Sequence, residues 1–233
     1  MKKEHLKKIA ELGRVCTIAF DKGLIDTHSG NISTGIGDHI LITKTGKSLI
    51  NLKPQDFTLV PIIKPKKDKK GNGSSDCNES DASSEIDIHR FILRSFPNST
   101  VFHSHPIDAI TLSLHMDYGL IKLPDEIKKK QIGKEGFNIY KKLYKKYPNL
   151  QIITPLDFES AYYFPHIFVL PLNLVEDIKA KSSVIDFEAK EMFKENGVFM
   201  IKSHGSFAWG KTPLEALRWT MMLEASAKVI LSF

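Results

Sequence analysis

The sequence predicts a single α/β domain, and three observations carry that reading. Segments with apolar residues near a 3.6-residue period alternate along the chain with short apolar runs of strand length. The 233 residues are 42% hydrophobic and 26% charged, an ordinary globular composition in a chain long enough for one sizeable core. No internal repeat is visible, and no linker divides the chain into two regions.

Residues 3–23 place Leu6, Ile9, Val15, Ile18 and Ala19 at helical spacing, with Gly23 positioned to end the helix. "DTHSGNIST" (26–34) reads as a turn-rich loop, "HILIT" (39–43) as a short strand, "KTGKSL" as a second turn and "DFTLVPI" as another strand. Residues 64–82, rich in Lys, Gly, Ser and Asp, read as an exposed, mobile loop. "SSEIDIHRFILRSF" (83–96) reads as a helix with Ile88, Phe91 and Ile92 on one face and Ser83 or Ser84 capping its first turn. "TVFHSH" is a strand. A lysine-rich helix is expected over about 126–147, followed by "NLQIITP" and "DFESAYYF", which the pattern assigns to neither state. "HIFVLPL" (166–172) is strand-like, 176–196 helical, and "GVFMIKSHG" (197–205) a buried strand ending in a tight turn. The last helix is signed by Thr212 as N-cap, Pro213 at its first position and Glu215 as capping-box acid.

Several function classes are excluded by composition. No apolar run reaches the roughly 20 residues that span a bilayer, so no membrane partner is expected. The N-terminal segment is basic and amphipathic but carries no secretory signal, and Cys16 and Cys77 have no ligand spacing. A reducing compartment and a cytoplasmic location are therefore expected. The net charge of +6 lies largely in "KPKKDKKGNG" (64–73) and "KKLYKKYP" (141–148). The first lacks aromatics and reads as a solvated loop; the second reads as a solvated helix face. No nucleic-acid partner is expected, although attraction for anions such as phosphorylated substrates is.

"VFHSHPIDAI" (101–110) holds two histidines at i and i+2. On a strand their rings project from one face and can reach one metal ion, or they are simply two polar rings at a strand end. "VFMIKSHGSFAWG" delivers a third, His204, after an apolar strand and next to a glycine that lets the backbone turn. His103, His105 and His204 suit a zinc site with three protein ligands and an open position. The other six histidines (5, 28, 39, 89, 115 and 166) stand alone and read as surface or satisfied core.

"SGNIS", "TKTG", "SSEIDIHR", "HSHP" and "SHGSFAWG" occur in an order and spacing that resembles the class II aldolase/adducin family, from about residue 3 to the end of the chain. Each motif is weak alone; five in order are specific. The resemblance implies a three-layer α/β/α fold around a mixed, mainly antiparallel sheet. It implies a divalent metal, usually zinc, on His103, His105 and His204, and Glu85 as acid/base. It also implies a substrate phosphate held by Gly30, Asn31, Thr45, Gly46, Ser83 and Ser84. Read alone, these loops are plain turns and Glu85 is a first-turn carboxylate favoured by the helix dipole. Together they suit a dianionic phosphate beside a helix N-terminus.

The implied reaction is reversible aldol cleavage of a ketose 1-phosphate to dihydroxyacetone phosphate and an aldehyde. The metal acts as Lewis acid on the carbonyl and adjacent hydroxyl and stabilises the enediolate left by cleavage. The carboxylate exchanges the proton on carbon, best if burial raises its pKa toward neutrality. Family epimerases and dehydratases, acting on substrates such as ribulose 5-phosphate or methylthioribulose 1-phosphate, share the triad and are the alternative. A non-catalytic adducin-like interaction module would lack the histidines. The resemblance further implies a homo-oligomer, a four-fold tetramer, with a tyrosine reaching across the subunit boundary; Tyr118, Tyr162 and Tyr163 are the candidates. The aromatic run "YYFPHIFVLPL" (162–172) reads either as core or as a patch that subunits bury. Residues 121–160 follow the family pattern poorly, and a chain ending at Phe233 implies no C-terminal lid.

Overall fold

A computed structural model describes residues 3–64, 79–117, 141, 143–164, 166–180 and 194–233. Eight strands form one sheet: β1 (Asn31–Ile36), β2 (His39–Thr43), β3 (Phe57–Pro61), β4 (Thr100–Ser104), β5 (Gln151–Ile153), β6 (Ile167–Leu170), β7 (Gly197–Ile201) and β8 (Gly205–Gly210). Their order is β3-β2-β1-β4-β8-β7-β6-β5. Among the described residues only the β6–β7 pair is parallel, so the sheet is mixed and mainly antiparallel as expected. The helices are α1 (Lys3–Asp21), α2 (Ile86–Ser95), α3 (Ile107–Asp117), α4 (Phe158–Tyr163), α5 (Leu172–Ala180) and α6 (Pro213–Leu231).

The side-chain alternation of the strands sorts them between two helical layers. Ile40, Ile42, Val101, Phe199, Phe207 and Trp209 pack with α2 and α5 through Phe91, Ile92, Leu174 and Ile178. Leu41 and Phe102 point the other way, against Leu12 and Cys16 of α1 and Leu217 of α6. Val198, Met200 and Ala208 meet Ala109, Leu112, Trp219 and Leu223 of α3 and α6. Strands covered on both faces form continuous buried runs, as in β4, β6 and β8. Cys16 is a packing residue, its thiol pushed up to about 12 by burial; Cys77 lies outside the described residues.

Some expectations need correction. Residues 26–34 are not all loop, because Asn31 begins β1, a central strand. α2 starts at Ile86 with Glu85 at its N-cap and no side-chain cap, so neither Ser83 nor Ser84 caps it. Ser83 instead turns the chain: its carbonyl accepts from the Ile86 amide at 3.0 Å and its hydroxyl from the Glu85 amide at 3.4 Å. At α6, Thr212 accepts from the Glu215 amide as expected, but Glu215 reaches back to the Lys211 amide rather than to Thr212. The run after "HSHP" is a helix, α3, and a strand, β8, follows His204; neither was expected. α5 begins at Leu172, ahead of the expected 176, and the 181–193 continuation lies outside the described residues. So does most of the expected 126–147 helix, and 65–78 of the expected mobile loop.

The end of that loop is pinned. Arg90 of α2 is buried and donates from Nη1 to Glu79 Oε1 at 2.6 Å and from Nε to the Pro61 carbonyl at 3.1 Å. This fixes residues 79–82 immediately before the Ser83–Glu85 turn. Burial works to raise the Glu79 pKa, but the Arg90 hydrogen bond and charge, with Lys64, outweigh it and hold the carboxyl below its ordinary value. A carboxylate whose pKa drops on folding stabilises above its unfolded value of about 4.3 and ceases to as pH falls through the lower folded value. Thermal unfolding between about pH 7 and about pH 3 should therefore show wild-type stability falling more steeply than that of Glu79→Gln.

Candidate functional site

The sheet assembles the site from four places in the chain. Antiparallel pairing sets Asn31 of β1 opposite His103 of β4, and Ser104 of β4 opposite Ser206 of β8. The β7–β8 turn thereby carries His204 over the end of β4, and the Ser83–Glu85 turn closes the fourth side. His105 lies one residue past β4, its amide held by the Leu24 carbonyl at 3.0 Å. One nitrogen from each of His103, His105 and His204 falls within 4.8 Å of the others. His103 Nε2 is 2.9 Å from His105 Nε2 and 3.0 Å from Glu85 Oε2, and His204 Nε2 is 2.7 Å from Glu85 Oε1.

The protonation pattern points to a cation. His103 Nδ1 donates to the Ser206 carbonyl at 2.9 Å, which leaves its Nε2 as a lone pair facing inward. A second proton there is opposed by burial, which lowers the His103 pKa to about 3 despite the nearby Glu85. Burial, and then the charge of His204, also lower the His105 pKa. A lone pair 3.0 Å from a carboxylate oxygen is repulsive unless positive charge lies between them. Three imidazole nitrogens and a carboxylate are a donor set suited to zinc or a similar divalent ion. His103, His105 and His204 could hold it, with Glu85 at its edge.

The Glu85 pKa is not raised to the neutrality that would best suit proton exchange. Burial acts in that direction, but the hydrogen bond from His204, the charge of His103 and the Asn31 amide outweigh it and hold the carboxyl at about 2. Since His103 stays neutral, the direction rests on the hydrogen bonds. Glu85 enters the site ionised.

All ten residues singled out from the sequence line one cavity of about 220 Å³. Gly30, Asn31, Ser83 and the histidines form its inner wall, and the exposed Thr45, Gly46 and Ser84 its mouth. A larger, mostly apolar groove of about 710 Å³ along α4 and α6 contains none of them. Lys44 and Lys47 also line the site cavity and were missed. Their signal was present in "TKTGKS", where two lysines flank the turn. They bring positive charge that the helix N-terminus supplies less freely than expected, because the Glu85 and Ile86 amides are already bonded to Ser83.

Two glycines act by closeness. Gly30 has φ 93°, and a Cβ there would lie 2.6 Å from the His103 carbonyl oxygen. Gly205, expected to let the backbone turn, instead makes room: a Cβ would lie 2.7 Å from His105 Cδ2 and 2.9 Å from His103 Cε1. The turn is made by Ser203 at φ 58°, its amide held by the Ser113 hydroxyl of α3 at 3.0 Å. Gly205→Ala should displace both rings and weaken divalent-cation binding by about 10- to 100-fold, as losing outer-shell support does. Competition against a chromophoric chelator measures this.

A family profile described as Class II Aldolase and Adducin N-terminal domain matches residues 10–231. The methylthioribulose-1-phosphate dehydratase of Bacillus subtilis (strain 168) is 24% identical over 221 residues, spanning 93% of this chain and 87% of that protein. The protein of the same name from Methylococcus capsulatus (Bath) is 25% identical over 225 residues, spanning 95% and 91%. The crystal structure of L-fuculose-1-phosphate aldolase from Thermus thermophilus superposes with a TM-score of 0.65 at 24% identity, covering 98% of this chain and 95% of that one. That likeness is one of fold.

Proposed function

This chain belongs to the class II aldolase and adducin family, and on that premise we propose that it is a divalent-metal-dependent lyase acting on a ketose 1-phosphate. The observation that carries the proposal is the convergence of His103, His105, His204 and ionised Glu85 on one point beside a cationic pocket. An adducin-like interaction module has no use for that arrangement. The three imidazoles would hold zinc, or another divalent cation, which when bound supplies Lewis-acid polarisation of a ketone and its neighbouring hydroxyl.

The chain's own groups do the rest. Lys44, Lys47, Thr45 and Ser84 bind the phosphate at the cavity mouth, with the buried Ser83 behind them, and so register the sugar against the histidines. Asn31, at the inner wall, donates to Glu85 at 3.1 Å and keeps its carboxylate turned to the cavity. Glu85 then accepts or returns a proton on the substrate. In the reading placed first, the C3–C4 bond breaks to give dihydroxyacetone phosphate and an aldehyde. The sequence relatives support a second, in which the C3 proton is taken off and the C4 hydroxyl leaves with a proton as one water.

Incubating the metal-loaded protein with a panel of ketose 1-phosphates decides between them. Dihydroxyacetone phosphate supports cleavage, and a phosphorylated product lighter by one water supports dehydration. Neither product from any member would overturn the assignment.

We also propose self-association. The aromatic run divides: Phe164, Ile167 and Phe168 are core, while Tyr162 and Tyr163 are 74% and 40% exposed. Phe158 of α4 and Leu214 of α6 are exposed too, and Arg218 of α6 lies over the Tyr163 ring at 4.4 Å, so these two helices offer apolar surface that a second copy would cover. Neither tyrosine lines its own chain's cavity, and Tyr118 lies outside the described residues. Light scattering on serial dilution should show an assembly larger than a monomer, with specific activity falling as it dissociates. A fully active monomer would exclude it.

A further inference from the structure

His89 lies one turn along α2 from Glu85, fully buried, its ring edge-on to Phe207 at a centroid separation of 5.6 Å. Its Nε2 meets Asn31 Oδ1, and its Nδ1 is 2.7 Å from the Ser33 hydroxyl. Asn31 Nδ2 donates to Glu85 Oε2 at 3.1 Å. The direction of each bond is forced. Asn31 sets Nδ2, which only donates, against Glu85 Oε2 and its oxygen against His89 Nε2. That oxygen only accepts, so His89 carries its hydrogen on Nε2, and Nδ1 of the neutral ring accepts from Ser33. Burial keeps the ring neutral, with a pKa of about 4.

We infer that His89 is a positioning residue which, through Asn31, sets the orientation of the Glu85 carboxylate and the face of the Asn31 amide that the substrate meets. Ser33, His89 and Asn31 form a one-way chain of donors ending on the carboxylate. Without the Nε2–H, the Asn31 oxygen loses its donor, and the bond to Glu85 alone is left to hold the amide. The three histidines that would hold the cation are not part of this lock. The catalytic consequence rests on the lyase reading above; the lock itself does not.

Ring-nitrogen NMR of the whole protein tests the lock whatever its substrate proves to be, so a failed lyase assignment leaves this result standing. His89 should be the neutral Nε2–H tautomer near pH 7. An Nδ1–H tautomer or a doubly protonated ring would overturn the inference. In the metal-loaded enzyme, His89→Leu should lower kcat about 10- to 100-fold with unchanged metal stoichiometry. His89→Gln, whose amide nitrogen can replace Nε2–H, should restore most of it, which a merely structural role does not predict. Wild-type turnover in the leucine variant, or no rescue by glutamine, would also overturn it. Should His89→Leu fail to fold, Ser33→Ala takes its place and should reduce the Nε2–H fraction and kcat together; loss of neither counts against the lock.

Discussion

Replacing His103 with alanine should leave the protein without its cation and lower turnover by about a thousandfold or more. The magnitude follows from the several kcal/mol of transition-state stabilisation that a Lewis acid supplies, each ~1.36 kcal/mol being tenfold. Of the three histidines His103 has the least freedom: it is 2% exposed, bonded to the Ser206 carbonyl, and stacked on Phe207 at 4.3 Å between ring centroids. Its loss also frees Glu85 Oε2 from the nitrogen 3.0 Å away, so the remaining histidines cannot close around the gap unchanged. Elemental analysis of purified wild type should give about one divalent ion per chain, with the variant well below that and far-ultraviolet circular dichroism unchanged. Full occupancy in a variant with all three histidines replaced would place the cation elsewhere.

Glu85→Gln should keep the cation and the phosphate affinity but lose about 10²- to 10⁴-fold in turnover, the usual contribution of a general acid/base. The substitution conserves shape, and the amide can still present its oxygen to Asn31 and its nitrogen to His204, so the fold has little reason to change. What disappears is a group that can hold a proton between substrate and solvent. The loss should fall on kcat rather than KM, because the phosphate contacts proposed above fall to Lys44, Lys47, Thr45, Ser83 and Ser84, other residues of the same cavity. Deuterium wash-in at the substrate carbon, measured by mass spectrometry, isolates the step. Wash-in at the wild-type rate would remove Glu85 from proton transfer.

The three histidines were legible as a metal set from their type and spacing, whereas Glu85 and the loop residues Gly30, Asn31, Thr45, Gly46, Ser83 and Ser84 were singled out only by the family resemblance of five ordered motifs. The fold brings all ten to one cavity. The opening helix, the Thr212 cap and the apolar strands were legible for a different reason. Local periodicity and capping depend on neighbours three or four residues away. β1 was hidden because a buried strand was written in polar letters: Ser33 is satisfied by His89, 56 positions along, and Asn31 by Glu85, 54 along. β8 was hidden by the glycine at each of its ends, and α3 by apolar residues distributed around it.

By itself, then, the sequence determined which side chains could do chemistry, the mixed α/β character of the chain and the ends of its best-signed helices. The tertiary structure decided their roles. It made Gly205 a spacer and Ser203 the turn, brought Lys44 and Lys47 to the site cavity, and set His89 against Asn31. It also decided the charge of Glu85, which burial alone would have raised toward neutrality and which hydrogen bonds from His204 and Asn31 hold ionised. The physical reason is common to all of these. A hydrogen bond or a close approach is a property of two groups, and here the second group lies 54 to 119 residues along the chain, where no local pattern records it.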